Sequence, residues 1–337
     1  MPEKTLGLKV NRNDGEKVRR ALVEIGAFDK SRRICSDASW IYLPVAGIDD
    51  LSYAKLASIA HHEIVEFDFP AEKSIPTLED ILGYRPSFEV VGDIALVDEG
   101  DEERVAGALM SINRSIKAVI CPISDVEGEY RTRRYRHVAG EARTVTIHKE
   151  HGLSYRVDLQ GAYFTPRLGT ERLRIADTVK ADEIVLDMFA GVGPFSLLLA
   201  KRGAHVIAID KNPVAVRYLR ENAILNKIKN IEIYEGDSIE LAGRYENRAD
   251  HVIMNLPHSA SSFLIPAISA ARDGGVVHYY CMANEDDLYR DWALIKKAAE
   301  KIGAVTEMNY RGIVRSYAPR RHNVVMDFLV RKLRTGI

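Results

Sequence analysis

The sequence predicts an α/β chain whose carboxyl-terminal half is a Rossmann-like, mostly parallel sheet of seven strands ending in an antiparallel hairpin, preceded by an α+β module and a small amino-terminal α+β domain. Three observations carry this. Between residues 184 and 254 four apolar runs of strand length each end in a polar residue, as parallel strands do when both faces are buried and a ligand lies across their carboxyl edge. The first run opens into Asp187-Met-Phe-Ala-Gly-Val-Gly-Pro194 and then an apolar stretch, which reads as strand, tight turn and helix start. Near the end, 305–316 and 324–330 are β-rich, with a turn at Ala318-Pro-Arg-Arg321 between them.

The first segment alternates strand (6–10), helix (16–25), strand (40–45), helix (51–60) and strand (64–69). Pro70-Ala-Glu-Lys-Ser-Ile-Pro76 has two prolines and no periodicity, which is linker chemistry. The expected division is therefore a small domain at 1–69, a linker at 70–76, an α+β module at 77–165 and the large sheet domain at 166–337. The module reads as a strand over 88–97, a helix from 102 to about 114, a strand at 118–123, and β-rich runs near Tyr130, at 144–148 and at 155–164. In the sheet domain, His205-Val-Ile-Ala-Ile-Asp210 follows the first strand by roughly 20 residues, the length of one βαβ step. The strand at 231–234 runs into Glu235-Gly-Asp237-Ser238, and the one at 250–254 into Asn255-Leu-Pro-His258. Leu288, Trp292, Ile295 and Ala299 make one stripe of an amphipathic helix over 286–302.

With 337 residues the chain can hold two or three domains with large cores. Cys35, Cys121 and Cys281 are odd in number and in no metal or redox pattern, which suggests reduced thiols and a cytoplasmic protein. No apolar run approaches membrane-spanning length, and the start lacks a signal-peptide core. No metal-ligand set is visible, and His61-His62 reads as a surface pair. The net charge of −1 gives no hint of nucleic acid, yet Arg131-Thr-Arg-Arg-Tyr-Arg-His137 is a dense basic and aromatic cluster, and Arg311, Arg315, Arg320 and Arg321 form another. Such clusters supply phosphate contacts or solvated faces.

Gly191 and Gly193 let the backbone bend and come close to a ligand. A dinucleotide-binding turn would carry a third glycine. Here Pro194 follows the second, which points away from NAD and toward a zwitterionic nucleoside. Asp187 is placed to accept from a cationic amine, Asp210 from ribose hydroxyls and Asp237 from an adenine amino group. Any one of these acids also suits a helix cap or a solvated loop. Together they resemble the class I S-adenosylmethionine-dependent methyltransferases, whose fold likewise ends in an antiparallel hairpin.

A closer resemblance covers essentially the whole chain. Gly128-Glu-Tyr-Arg131, His137-Val-Ala-Gly-Glu141, Thr146-Ile-His-Lys149, Tyr163-Phe-Thr-Pro-Arg-Leu-Gly169, Asp187 to Phe195, Asn255-Leu-Pro257 and Arg315-Ser-Tyr-Ala-Pro319 resemble the archaeal and eukaryotic tRNA (guanine-37-N1)-methyltransferase family. The resemblance implies a first domain that reads the outer corner of tRNA and a two-part catalytic unit that grips the anticodon stem-loop. It implies Glu171 as general base, Arg131 as partner of guanine O6 and Asn255 as orienting amide. Pro257, Tyr163 and Arg167 would lie around the target nucleotide. For S-adenosylmethionine, Asp187, Phe189, Gly191, Asp210, Lys211, Asp237, Ser238 and Asn255 are the expected contacts, and Arg172 is added by resemblance alone. His258 stands where the family often has a bulkier residue. Chemistry agrees with these roles: guanine N1 is a poor nucleophile until its proton leaves, and the charge then developing on O6 needs a cationic partner. Glu171 and Arg172 also suit an ordinary helix start. The expected partner is tRNA, with no DNA or membrane, and the expected state is a monomer. Two other readings are a wybutosine-pathway transferase acting on a modified guanine and a non-catalytic tRNA-binding protein. Arg131, Glu171 and Asn255-Leu-Pro257 together favour N1 methylation over the first, and the intact cofactor acids and glycines speak against the second.

Overall fold

The computed structural model describes residues 4–72 and 76–333, and its contacts fall into two units that part between Thr77 and Leu78. In chain order the first unit contains β1 (Thr5–Asn11), α1 (Gly15–Glu24), β2 (Cys35–Ser36), β3 (Trp40–Pro44), α2 (Asp50–Ala57) and β4 (His62–Phe67). They build an antiparallel sheet of order β2-β3-β1-β4. Val18, Ala21 and Leu22 of α1 and Leu56 of α2 are buried with Leu8, Val10 and Leu43 of the sheet. Asp49 caps α2 by accepting from Ser52 N–H at 2.7 Å. Three details depart from the sequence reading. β2 is too short to show periodicity. His62 is buried rather than superficial, with its ring edge-on to Tyr53. The start of the expected linker is tied down, since Ala71 bridges to Arg32 and Glu72 N–H donates to Ser31 O at 2.7 Å; residues 73–75 of that stretch lie outside the described residues.

The second unit begins with α3 (Leu78–Leu82), β5 (Phe88–Val91), β6 (Ile94–Val97), α4 (Glu102–Ile112), β7 (Ala118–Pro122) and β8 (Tyr135–Gly140), the strands pairing in the order β5-β6-β7-β8. The single strand expected over 88–97 is a hairpin. Its apolar residues are interrupted only by Glu89 and by Gly92-Asp93, and the turn falls at Gly92, whose φ is +60°. A Cβ there would stand 2.2 Å from Thr146 Oγ1 and 2.6 Å from Ile147 O, so a side chain would clash. The run near Tyr130 is a loop with one isolated bridge, Glu127 to Thr132, rather than a strand. An antiparallel ribbon follows, β9 (Val145–Glu150) and β10 (Leu153–Asp158). It is bound on both sides. Asp93 takes two bonds from Arg143 (3.0 and 2.7 Å) and one from Thr146 (2.7 Å), while Tyr155 is buried with Phe195 and Leu198 of the next helices.

After α5 (Gly169–Ala176) come β11 (Ile184–Asp187), α6 (Pro194–Lys201), β12 (His205–Asp210), α7 (Pro213–Leu225), β13 (Ile231–Glu235), α8 (Ser238–Ala242), β14 (Ala249–Met254), α9 (Leu264–Ala270), β15 (Ala271–Asn284), α10 (Trp292–Glu300), β16 (Ala304–Ala318) and β17 (Arg321–Lys332). The seven strands pair in the order β13-β12-β11-β14-β15-β17-β16. The first five are parallel, and β17 runs antiparallel between β15 and β16. β15 is the strand for which the sequence reading had named no residues. α10 starts later than expected, yet its stripe packs as anticipated, with Ile295 and Ala299 buried and Leu288 and Trp292 against them. Leu186, Val252, Val277 and Phe328 point to one side of the sheet, and Val185, Ile253, Tyr280 and Val325 to the other, so both faces are covered as a parallel sheet requires.

Candidate active site

The carboxyl ends of β11, β12 and β14 open on one cavity of about 860 Å³, within the usual range for a small-molecule site. The turn after β11 shapes its floor. Gly193, with φ +94°, ends the turn, and a Cβ on it would lie 2.3 Å from Leu219 Cδ1. Gly191 N–H donates to Asp210 Oδ2 at 2.6 Å, which ties the turn to the end of β12. A Cβ on Gly191 would meet only Tyr163 O, at 3.9 Å, so its bare backbone leaves open room on the cavity side. Burial pushes the Asp210 carboxyl above the usual range, against the pull of the N–H groups of Asn212 and Gly191. Asn212 caps α7, accepting from Val214 N–H at 3.0 Å, with Pro213 at the first helical position.

Around this floor stand Phe189, its ring edge-on to Phe263 with centroids 4.8 Å apart, and Lys211, which links Glu129 (2.5 Å) to Asp237 (3.4 Å). Asp237 also caps α8, and Ser238 Oγ donates to Met188 O. Apolar rings, a strand-end carboxylate and exposed turn backbone thus share one cavity, the combination of groups a nucleoside calls for.

The opposite wall comes from segments distant in sequence. Arg131, at φ +54°, ends the bridged loop before β8. Asn255 and Pro257 follow β14, and Pro257 O accepts from Met282 N–H at 3.0 Å, which pins this loop on β15. Tyr163 and Arg167 flank a short turn capped by Thr165; Glu89 of β5 accepts from Thr165 Oγ1 at 2.8 Å and pairs with Arg167 at 2.9 Å. Arg172, 1 % exposed, forks onto Glu150 and reaches Thr165 O at 3.2 Å.

All but two of the expected site residues line the cavity. The first exception is Asp187. It is 1 % exposed and lies beneath the turn, accepting from Ser196 Oγ at 2.6 Å, and burial pushes its pKa up to about 7. A carboxylate at a strand end can point down into the helix start as readily as up toward a ligand, and here it does the former. The second is Glu171. Neighbours on a helix point about 100° apart, and it is Arg172 that faces the cavity. Glu171 sits behind the wall, accepting two bonds from Arg174 (2.9 and 2.7 Å) and one from Tyr280 Oη (2.7 Å).

The cavity also contains groups the sequence reading had not assigned: Glu89, Phe263, Met282, Asn323 and the ring of Tyr317. Nothing local marks them, because each arrives through sheet pairing or loop docking. His258 lines the cavity beside them, its imidazole held below the usual range first by burial and then by Arg131 and Arg321.

This arrangement of sheet order and site defines a class I S-adenosylmethionine-dependent methyltransferase. Family models sharpen it. One described as the TRM5/TYW2 methyltransferase domain matches residues 146–309, one described as the tRNA methyltransferase 5 N-terminal domain matches 7–50, and one described as the TYW2 N-terminal domain matches 73–144. The chain is 40 % identical to a tRNA (guanine(37)-N(1))-methyltransferase Trm5b of Pyrococcus abyssi, over 97 % of this chain and 99 % of that one. It is similar, at TM-score 0.69 and 34 % identity over 96 % of this chain and 99 % of the other, to a solved structure described as the complex of aTrm5 and tRNALeu. A tRNA(Phe) (4-demethylwyosine(37)-C(7)) aminocarboxypropyltransferase of Pyrococcus horikoshii is 36 % identical over a smaller share, 61 % of this chain and 74 % of that one. The chain belongs to the TRM5/TYW2 methyltransferase family.

Proposed function

We propose that this protein methylates N1 of guanosine 37 in tRNA, the nucleotide 3′ of the anticodon, acting as a cytoplasmic monomer. Near full-length similarity to a guanine-37-N1 enzyme, against a partial match to the aminocarboxypropyl enzyme, carries the reading. Residues 1–69 serve as the unit that reads the outer corner of tRNA, and 77–165 and 166–337 together hold the anticodon stem-loop and the cofactor.

S-adenosylmethionine supplies an electrophilic methyl group on a sulfonium, so the protein's task is to make N1 nucleophilic and aim it. Asp210, Phe189 and the Gly191 backbone hold the nucleoside part of the cofactor. The target base enters splayed out of its stem, between Tyr163, Asn255 and Pro257. The Arg131 fork donates to O6 and stabilises the charge that appears there as N1 loses its proton. Glu171 lies behind the wall beside Arg172, so it takes that proton only when its carboxylate reaches the cavity with the base bound: its two oxygens offer about four acceptor directions, and Arg174 and Tyr280 fill three, leaving one on Oε2. When bound, S-adenosylmethionine would supply the methyl group to N1 once that proton has gone, leaving as the neutral thioether. A second reading of the base is favoured by one observation. His258 lines the cavity with its imidazole held below the usual range, hence neutral and able to accept a proton.

Methylation of transcripts carrying guanosine, inosine or adenosine at position 37, with mass spectrometry of the product nucleoside, tests the proposal. N1-methylguanosine is the expected product. Equal turnover of adenosine, or a product carrying a larger adduct, refutes it. Glu171→Gln and His258→Gln separate the two bases: the one whose loss abolishes single turnover carries the proton.

A further inference from the structure

Behind Glu171 a file of polar side chains crosses the interior of the sheet domain. Arg174 lies one turn along α5 from Glu171. It donates to both Glu171 oxygens and, through Nη1, to Asp327 Oδ2 of β17 at 2.7 Å, while Tyr310 of β16 stacks on its guanidinium at 4.2 Å. Asp327 Oδ1 stands 2.9 Å from His278 Nδ1 of β15, a close contact off the line of a good hydrogen bond. His278 Nε2 is 3.0 Å from His251 Nδ1 of β14, the two rings parallel within 5°. His251 Nε2 in turn faces Glu183 Oε2 at 3.3 Å. Asp327 and His278 are buried, at 2 % and 1 % exposure.

Each outer ring nitrogen faces a carboxylate, that of Asp327 or of Glu183, and the two inner nitrogens face each other. Burial and then His278 hold the His251 imidazole below the usual range, against the pull of Glu183. The charged groups facing the pair are Glu183, Asp250 and Asp327, with Arg174 and Glu171 beyond. An ion file of this kind gives little net stability over an apolar filling of the same volume, so stability does not account for it. Its far end does. Tyr280, which donates to Glu171, shares a sheet face with the cavity-lining Met282 and Asn323, and Arg172 beside Glu171 is cavity wall.

We infer that Arg174 is a positioning residue for methyl transfer, aiming the Glu171 carboxylate, and that Asp327 and the His278–His251 pair are what keep its fork in place. This rests on the reading of Glu171 as the base. Without Arg174, Glu171 loses two of its three anchors and its carboxylate is no longer held in place beside Arg172 and the cavity wall. Without His278 beside its Oδ1, Asp327 can turn both oxygens on the guanidinium and compete with Glu171 for it.

The test is a double-mutant cycle in single turnover, with the full-length enzyme, a tRNA transcript and labelled S-adenosylmethionine. Arg174→Met should lower kcat about 10²-fold with KM for tRNA and cofactor affinity unchanged, and should cause no further loss in a Glu171→Gln background. Asp327→Asn, which keeps the volume and covers the case that Arg174→Met does not fold, should lower kcat by about 3- to 30-fold with the same dependence on Glu171. Guanidinium ion should restore part of the rate of Arg174→Ala. Equal losses in both backgrounds, a parallel fall in cofactor affinity and thermal midpoint, or full activity of Arg174→Met with Glu171→Gln inactive would overturn the inference while leaving Glu171 as the base. Full activity of Glu171→Gln would overturn that reading, and the inference with it.

Discussion

Replacing Asp187 by Asn separates a structural acid from a ligand-binding one. Its carboxyl is 1 % exposed beneath the Gly191 turn and holds Ser196 Oγ, and burial pushes its pKa up to about 7. An unfolded aspartate titrates near 3.9, so between about pH 4 and pH 7 the native state holds a proton that the unfolded state has released. The sign follows: this group favours folding most below about pH 4, its contribution falls as pH rises to about 7, and it is flat above. A gap of about 3 pH units at about 1.4 kcal/mol each amounts to about 4 kcal/mol. Asparagine cannot ionise, so the stability of Asp187→Asn minus that of the parent should climb by up to that amount between pH 4 and 7.5. The absolute level is offset by about 1–3 kcal/mol, because the new amide buries N–H groups without acceptors. Denaturant midpoints at several pH values, followed by Trp292 in a Trp40→Phe background, measure the slope in the sheet domain. Cofactor affinity should change less than about threefold, since Asp187 does not reach the cavity. A stability difference that is flat with pH, or a loss of cofactor binding as severe as that of an Asp210 variant, would refute the reasoning.

Three further outcomes are expected. Asp210→Asn exchanges a charged acceptor for a neutral one where the Gly191 turn is tied down, and calorimetry should show cofactor affinity reduced about 10-fold or more. Gly193→Ala forces a side chain to φ +94° and against Leu219 Cδ1, so thermal unfolding should show a loss of about 2–4 kcal/mol together with weaker cofactor binding. Glu89→Gln releases Arg167 and weakens the bond from Thr165; steady-state kinetics should show kcat/KM for tRNA lowered about tenfold, with cofactor affinity retained.

Local pattern alone was enough to place the core sheet and the strand edge on which the cavity opens. Apolar runs at βαβ spacing, each ending in a polar residue, follow from local periodicity, and Gly191, Gly193 and Asp210 follow from what a tight turn at a strand end requires. Two elements were ambiguous: the hairpin at 88–97 reads as one strand because only Gly92-Asp93 separates its apolar arms, and β15 begins directly after α9 with its Asp273-Gly-Gly275 turn signal lying inside the strand as an irregularity rather than ahead of it. Only the tertiary structure decided which way side chains point. Asp187 and Asp210 both end apolar strands, yet one is sealed under the turn and the other borders the cavity. Glu171 and Arg172 are adjacent, yet the helix turns one toward the cavity and the other toward Arg174, Tyr280 and a file that ends at Glu183. That file joins residues up to 153 positions apart along the chain. Strand pairing between β14, β15 and β17 brings it together, and pairing over such separations leaves no mark in a local window.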